Sequence, residues 1–147
     1  MKPAENEWQD LDDIFRGLME LAAGDDWSWA AALVWVVSDF NPFWVGTDHR
    51  RGLFGLTPTF LAQALPEHGG HGELMAVAHG DPFMQATAFR RFWNRHGHAD
   101  AADKLRMFWY GEARARQLTT QDDPDPDGFI KQVKKARDSI LKQSAAK

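Results

Sequence analysis

The twelve residues 27–38, WSWAAALVWVVS, constrain this chain more than any others. They are apolar on nearly every side. Such a segment leaves no face for water and must run through the middle of a fold, as a buried helix or a buried strand. Its length, its three alanines and the Asp25-Asp26 pair ahead of it favour the helix. The uninterrupted apolar run, Trp29 to Val37, is nine residues. A membrane-spanning helix needs roughly 20, so no membrane span is expected. The chain has 147 residues, 44% of them hydrophobic and 26% charged, which suits one domain built around such a helix.

The flanking sequence reads as helical nearly throughout. Leu11, Ile14, Phe15, Leu18, Leu21 and Ala22 recur every three or four residues, and Gly24 ends that stretch. Asp25 or Asp26 then caps the central helix. Residues 39–56 contain Asn41-Pro42, Gly46, Gly52 and Gly55, the signature of a long loop or a short β-hairpin. Thr57-Pro58 and Asp81-Pro82 each combine a capping side chain with proline at the first helical position. They predict helices ending near Pro66 and His96. Between them lie a glycine-rich loop, 66–72, and a turn or two of helix over Glu73–Ala78. Ala101 to Leu118 reads as a further helix with Gly111 as its weak point. The chain divides into a domain over 1–118, an acidic proline-broken linker over 119–128, and a basic helix and tail over 129–147. The apolar stripe Phe129, Val133, Ala136 and Ile140 could pack back on the domain or dock on a partner.

The formal net charge is −4, which argues against nucleic-acid binding through a chain-wide basic footprint. Charge is nevertheless polarised. Residues 1–26 hold eight acids against Lys2 and Arg16, and residues 131–147 hold six bases against Asp138. The basic helix suggests a nucleic acid or an anionic membrane as partner. Its modest, Trp-free stripe argues against membrane insertion, and the acidic linker would repel phosphates. A solvated face, or pairing with the acidic N-terminus, is the expectation. There are no cysteines, which excludes disulfides and thiolate metal sites. The opening MKPAENEWQD has no apolar core of a signal peptide. A cytoplasmic location follows as the expectation, with signal-independent export or virion association as the alternative.

Residues 33–58, LVWVVSDFNPFWVGTDHRRGLFGLTP, carry a more specific pattern. They resemble the first motif of the lysozyme-like lytic transglycosylases. That motif is an apolar helix, then E-S-x-F-N-P, then a loop ending in G-L-M-Q-L-M-P. Ser38, Phe40, Asn41, Pro42, Val45, Gly52, Leu53, Leu56 and Pro58 match without a gap. Downstream, Asp81-Pro82 resembles the family's D-P-x-x-N-I segment. RHGHADAADKLRMFWYG, 95–111, resembles R-Y-G-G-D-x-x-x-A-L-A-A-Y-N-A-G. The resemblance covers roughly residues 27–140 and implies an all-α, lysozyme-like fold and a peptidoglycan or other glycan ligand.

The departures fall on the chemistry. The family's catalytic glutamate aligns with Val37, and the glutamine of G-L-M-Q with Gly55. The tyrosine and asparagine of A-Y-N-A-G align with Phe108 and Trp109, and only the closing Gly111 is kept. Cleaving a glycosidic bond needs an acid to protonate the leaving oxygen, and valine has no proton to give. The resemblance therefore implies a catalytically degenerate relative that works by protein or glycan binding, in a phage- or secretion-associated setting. Two alternatives stand beside it. One is an active peptidoglycan-cleaving enzyme whose acid has relocated to Asp39 or to a glutamate such as Glu20, Glu73 or Glu112. The other is an unrelated helical interaction protein. Under the resemblance, Ser38, Asn41, Trp44, Gly55, Phe108, Trp109 and Tyr110 surround the ligand site. Trp109, replacing a small polar residue, is expected to fill the groove.

The remaining signals are weaker. His68, His71 and Glu73 have metal-compatible spacing, but a solvated glycine-rich loop is the simpler reading, and no metal or cofactor is expected. His96 and His98 flank Gly97 at a helix end, where a cationic side chain suits the dipole. His49, Arg50 and Arg51 read as a solvated loop or as contacts to an anionic or sugar ligand. Arg90, Arg91 and Arg95 form a basic patch expected to pair with the acidic N-terminal helix. Trp27, Trp29, Trp35, Phe89, Phe92 and Trp93 are expected in the core.

Overall fold

A computed structural model describes residues 15–68, 81–120 and 124–145. The expected turns over Glu73–Ala78, and the pairing of His71 with Glu73, lie outside those residues, as do Leu11 and Ile14. Residues 15–23 form helix α1. Then come α2 (Trp27–Ser38), α3 (Pro58–Ala64), α4 (Pro82–Arg95), α5 (Ala101–Tyr110), α6 (Glu112–Leu118) and α7 (Phe129–Ala145). The fold is all-α. Among the described residues no strand forms; the 39–56 loop holds only two isolated antiparallel bridges, Val45 to Arg51 and Arg51 to Leu56.

The central helix takes the expected place. Ala30 to Trp35 are buried without a break, and α1 covers them with Leu18, Met19, Ala22 and Ala23. The other side of α2 is covered by α7. Phe129, Ile130, Val133, Ala136 and Ile140 enter the same apolar core, so the C-terminal stripe packs back on the domain. Arg137 seals that contact, donating to the Ser28 hydroxyl at 3.0 Å with its guanidinium 4.4 Å from the Trp29 ring.

Local signals formed as their chemistry dictates at most positions. The Thr57 hydroxyl accepts from the Phe60 N–H, and the Asp81 carboxylate from those of Phe83 and Met84. Two expectations need correction. Asp26 makes no capping bond to α2; its carboxylate accepts the Trp93 indole N–H at 2.9 Å instead. A buried indole needs an acceptor, and that need outweighs the cap. The helix expected over 101–118 is two helices, because Gly111 adopts φ +88, ψ +153 and breaks the hydrogen-bond ladder.

The 39–56 loop is pinned to the helices through Leu53. Its N–H donates to the Gln85 side chain of α4 at 2.8 Å, and its carbonyl accepts from the Ser38 hydroxyl of α2 at 2.7 Å. Both side chains are buried. Replacing Gln85 by leucine keeps most of the volume but strands the Leu53 N–H. The expected cost is about 1–3 kcal/mol in urea unfolding. A neutral Gln85→Leu would show that the loop is held by other means.

Candidate functional site

Pinning Leu53 brings Gly55 against the last turn of α2. Gly55 has φ +66, and a Cβ there would lie 2.8 Å from Val37 Cγ1 and 3.3 Å from the Trp44 ring. Val37, Trp44 and Trp109 line one small cleft of about 180 Å³ with Asp127 and with Phe129 and Gln132 of α7. The Trp109 ring stacks on Phe129, 4.2 Å between centroids and 5° from parallel. The Arg50 guanidinium lies 4.1 Å from the same ring. Arg50 also donates to the Trp109 carbonyl at 2.8 Å and the Gly55 carbonyl at 3.3 Å. Burial lowers the Arg50 pKa, and the Asp48 carboxylate offsets part of that. Val37 and Trp109, 72 residues apart in sequence, thus line one cleft, with Gly55 against Val37 and joined to Trp109 through Arg50.

A larger cleft of about 370 Å³ opens on the other side of Gly55 and Trp109. Phe60 and Gln63 of α3, Phe92 and Arg95 of α4, Phe108 and Tyr110 of α5, and Glu112 line it. Phe60, Phe92 and Phe108 form its aromatic floor, with centroids 5.3–5.7 Å apart. Its principal carboxylate is Glu112, which receives hydrogen bonds from Arg95 at 2.7 Å and His96 Nε2 at 2.8 Å. Burial pushes the Glu112 carboxyl up, but the His96 hydrogen bond and the Arg95 charge outweigh it and hold it below the usual carboxylate value. Glu112 is therefore a carboxylate at neutral pH, suited to accepting hydrogen bonds and not to protonating a leaving group.

Tyr110 closes the site against the segment before α7. Its hydroxyl donates to Asp125 at 2.9 Å and accepts from the Asp127 N–H at 3.1 Å. Asp125 in turn accepts from the N–H groups of Ile130 and Lys131 at the start of α7. Burial, followed by the Asp125 hydrogen bond and the nearby acids, pushes the Tyr110 phenol up to about 12 from 10.0, against the opposing Asp127 N–H. Stability linked to this proton is complete below pH 10 and lost as the pH climbs toward 12. Tyr110 is the chain's one tyrosine, so phenolate absorbance reports it alone. Its midpoint should fall near 12 in the native protein and return to about 10 in urea. A native midpoint of 10 would contradict the contact.

The other sequence-derived residues sit elsewhere. Ser38 is buried and spends its hydroxyl on the Val34 and Leu53 carbonyls. The Asn41 side chain accepts from the Phe43 N–H and closes a local turn. Asp39 ends α2 at φ +55 and is followed by Phe40 at φ +61. None of these three lines either cleft. Glu20 pairs with Arg16 on α1. Two members of the basic patch also have unexpected partners: Arg91 pairs with Glu67 and Arg95 with Glu112. Arg50, Gln85 and the His96–Glu112 contact were not legible beforehand, since each joins residues distant in sequence. Among the described residues no cluster of three or more metal-compatible side chains occurs, and no helix is long and apolar enough to cross a membrane.

The site thus belongs to an all-α protein with two clefts meeting at Trp109. No protein-family model, curated protein or solved structure matches this chain.

Proposed function

We propose that this chain is a catalytically degenerate, lysozyme-like relative of the lytic transglycosylases that acts by binding, holding a glycan strand in the larger cleft without cutting it. The observation that carries this reading is the convergence of Val37, Gly55 and Trp109. These positions align with the family's acid, glutamine and asparagine, and they are far apart in sequence. Their meeting at one place is what a shared fold requires. None of these three aligned side chains carries a carboxyl group; the carboxyl that lines the same small cleft, Asp127, comes from the segment before α7 and has no counterpart in the motif.

The larger cleft suits a hydroxyl-rich ligand. It pairs an aromatic floor with Gln63, Arg95 and Glu112, which offer donors and acceptors at its rim. A rival enzyme with a relocated acid needs a carboxyl held neutral by apolar surroundings. Glu112 is shifted in the opposite direction, and Asp39 lies outside the lining.

Co-sedimentation with insoluble peptidoglycan tests the reading. The protein should pellet with the glycan, and Gln63→Ala with Arg95→Ala should weaken binding about tenfold while leaving the fold intact. Failure to pellet would overturn glycan binding and leave a protein ligand as the occupant of the cleft.

A further inference from the structure

Helix α7 carries a feature that neither core nor cleft uses. Its apolar side, Val133, Ala136 and Ile140, is buried against α2. With 3.6 residues per turn, Lys131, Lys135, Asp138 and Lys142 fall in one row on the opposite side, with Lys134 beside it. All five are exposed. The row is about 16 Å long at 1.5 Å per residue. Among the described residues none of these lysines is in an ion pair. Lys131 stands one turn from both Lys134 and Lys135, and each such like-charge pair opposes the helix. Asp138 offsets part of this repulsion from its place between Lys134, Lys135 and Lys142, and the face contributes nothing to the interior.

A second observation lies at the same end of the molecule. Trp44 lines a cleft with Phe129 and Gln132, which places the 43–45 loop beside the first turn of α7. On either side of Trp44, Phe43 is 64% exposed and Val45 59% exposed. They are two of the three large apolar side chains that stand out from the described surface.

We propose that the lysine face of α7 and the Phe43–Val45 tip together form a peripheral docking surface for an anionic phospholipid bilayer. The complementarity is one of charge. Lysines on flexible stems match a fluid layer of negative headgroups, each adding attraction that decays within a Debye length. Phe43 and Val45 supply the shallow apolar contact that a charge-only surface lacks. A nucleic acid fits the same face less well. The row contains no arginine for forked phosphate or base contacts, and Val45 beside Phe43 suits an acyl layer and not a stacked base. The surface is independent of the glycan cleft, so either assignment can fail alone.

Flotation of the full chain with phosphatidylcholine vesicles, with and without phosphatidylserine or phosphatidylglycerol, tests this. Binding should require the anionic lipid, be equal for the two anionic headgroups, and fall with added salt. The combined Lys131→Glu, Lys135→Glu and Lys142→Glu variant should lose binding by at least about tenfold. Phe43→Ser should lose about threefold. All four substitutions are at exposed positions, and unchanged circular dichroism and melting would show that the fold is kept. No binding to anionic vesicles at low salt, binding indifferent to the lysine reversals, or tighter binding to a DNA duplex than to vesicles would each overturn the proposal.

Discussion

Phe89→Ala is expected to cost about 3–5 kcal/mol of folding stability. Phe89 is fully buried at the junction of α4 with the pinned loop and α5. It stacks on Phe54 at 4.6 Å and on Trp93 at 5.4 Å, and meets Phe108 edge-on at 5.3 Å. Rigid rings cannot collapse into the space as aliphatic chains do, so the cavity stays open and the loss should fall in the upper part of that range. Phe108 and Phe92 lean on the same ring and form the floor of the larger cleft. The glycan binding proposed for that cleft should therefore weaken together with stability. Urea or thermal unfolding measures the first effect, and a loss under 1 kcal/mol would mean that the aromatic cluster is not the keystone described.

Gly55→Gln, which installs the family's residue, is expected to destabilise the fold by about 2–4 kcal/mol. The backbone at φ +66 strains any side chain, and the new Cβ would meet Val37 and Trp44. Trp44 has little room to retreat, because a Cβ at Gly46 would also fall into its ring, so the two glycines bracket the indole. Gly111→Ala is the control. Its φ +88 and ψ +153 fall in a region open almost only to glycine, but nothing lies within 4 Å of its Cβ, so its loss of about 1–3 kcal/mol is backbone strain alone. Adding Val37→Ala to Gly55→Gln should recover the packing part of the loss, giving non-additive energies. A Gly55→Gln loss unchanged by Val37→Ala would show that Val37 and Gly55 are not in contact.

What was legible in the sequence follows the range of the interactions. Thr57-Pro58 and Asp81-Pro82 could be read because a cap joins residues two or three apart. The all-apolar 27–38 segment could be read because burial on every side leaves one place for it. Asp26 departs from the capping role its position suggests because its partner, Trp93, is 67 residues away. For Arg50 the sequence offers only a solvated loop or a contact to an anionic or sugar ligand, because Trp109 lies 59 residues on. Asp125 looked like part of a linker, yet it joins Tyr110 to the start of α7. Gly111 sits between these cases: its flexibility was visible, but a full break depends on the backbone turn it adopts.

The central proposal is that this chain pairs a lytic-transglycosylase-like cleft with a valine where that family has its acid. Turbidity clearing of purified peptidoglycan by the wild-type protein, beside Asp39→Asn, Glu112→Gln and Val37→Glu, tests it most directly. The account predicts no clearing by the wild type or by either carboxyl variant. It also predicts none by Val37→Glu alone, since Gly55 and Trp109 leave the rest of the site unrestored. Clearing by the wild type that disappears in Asp39→Asn or Glu112→Gln would contradict the account and make this chain an enzyme with a relocated acid.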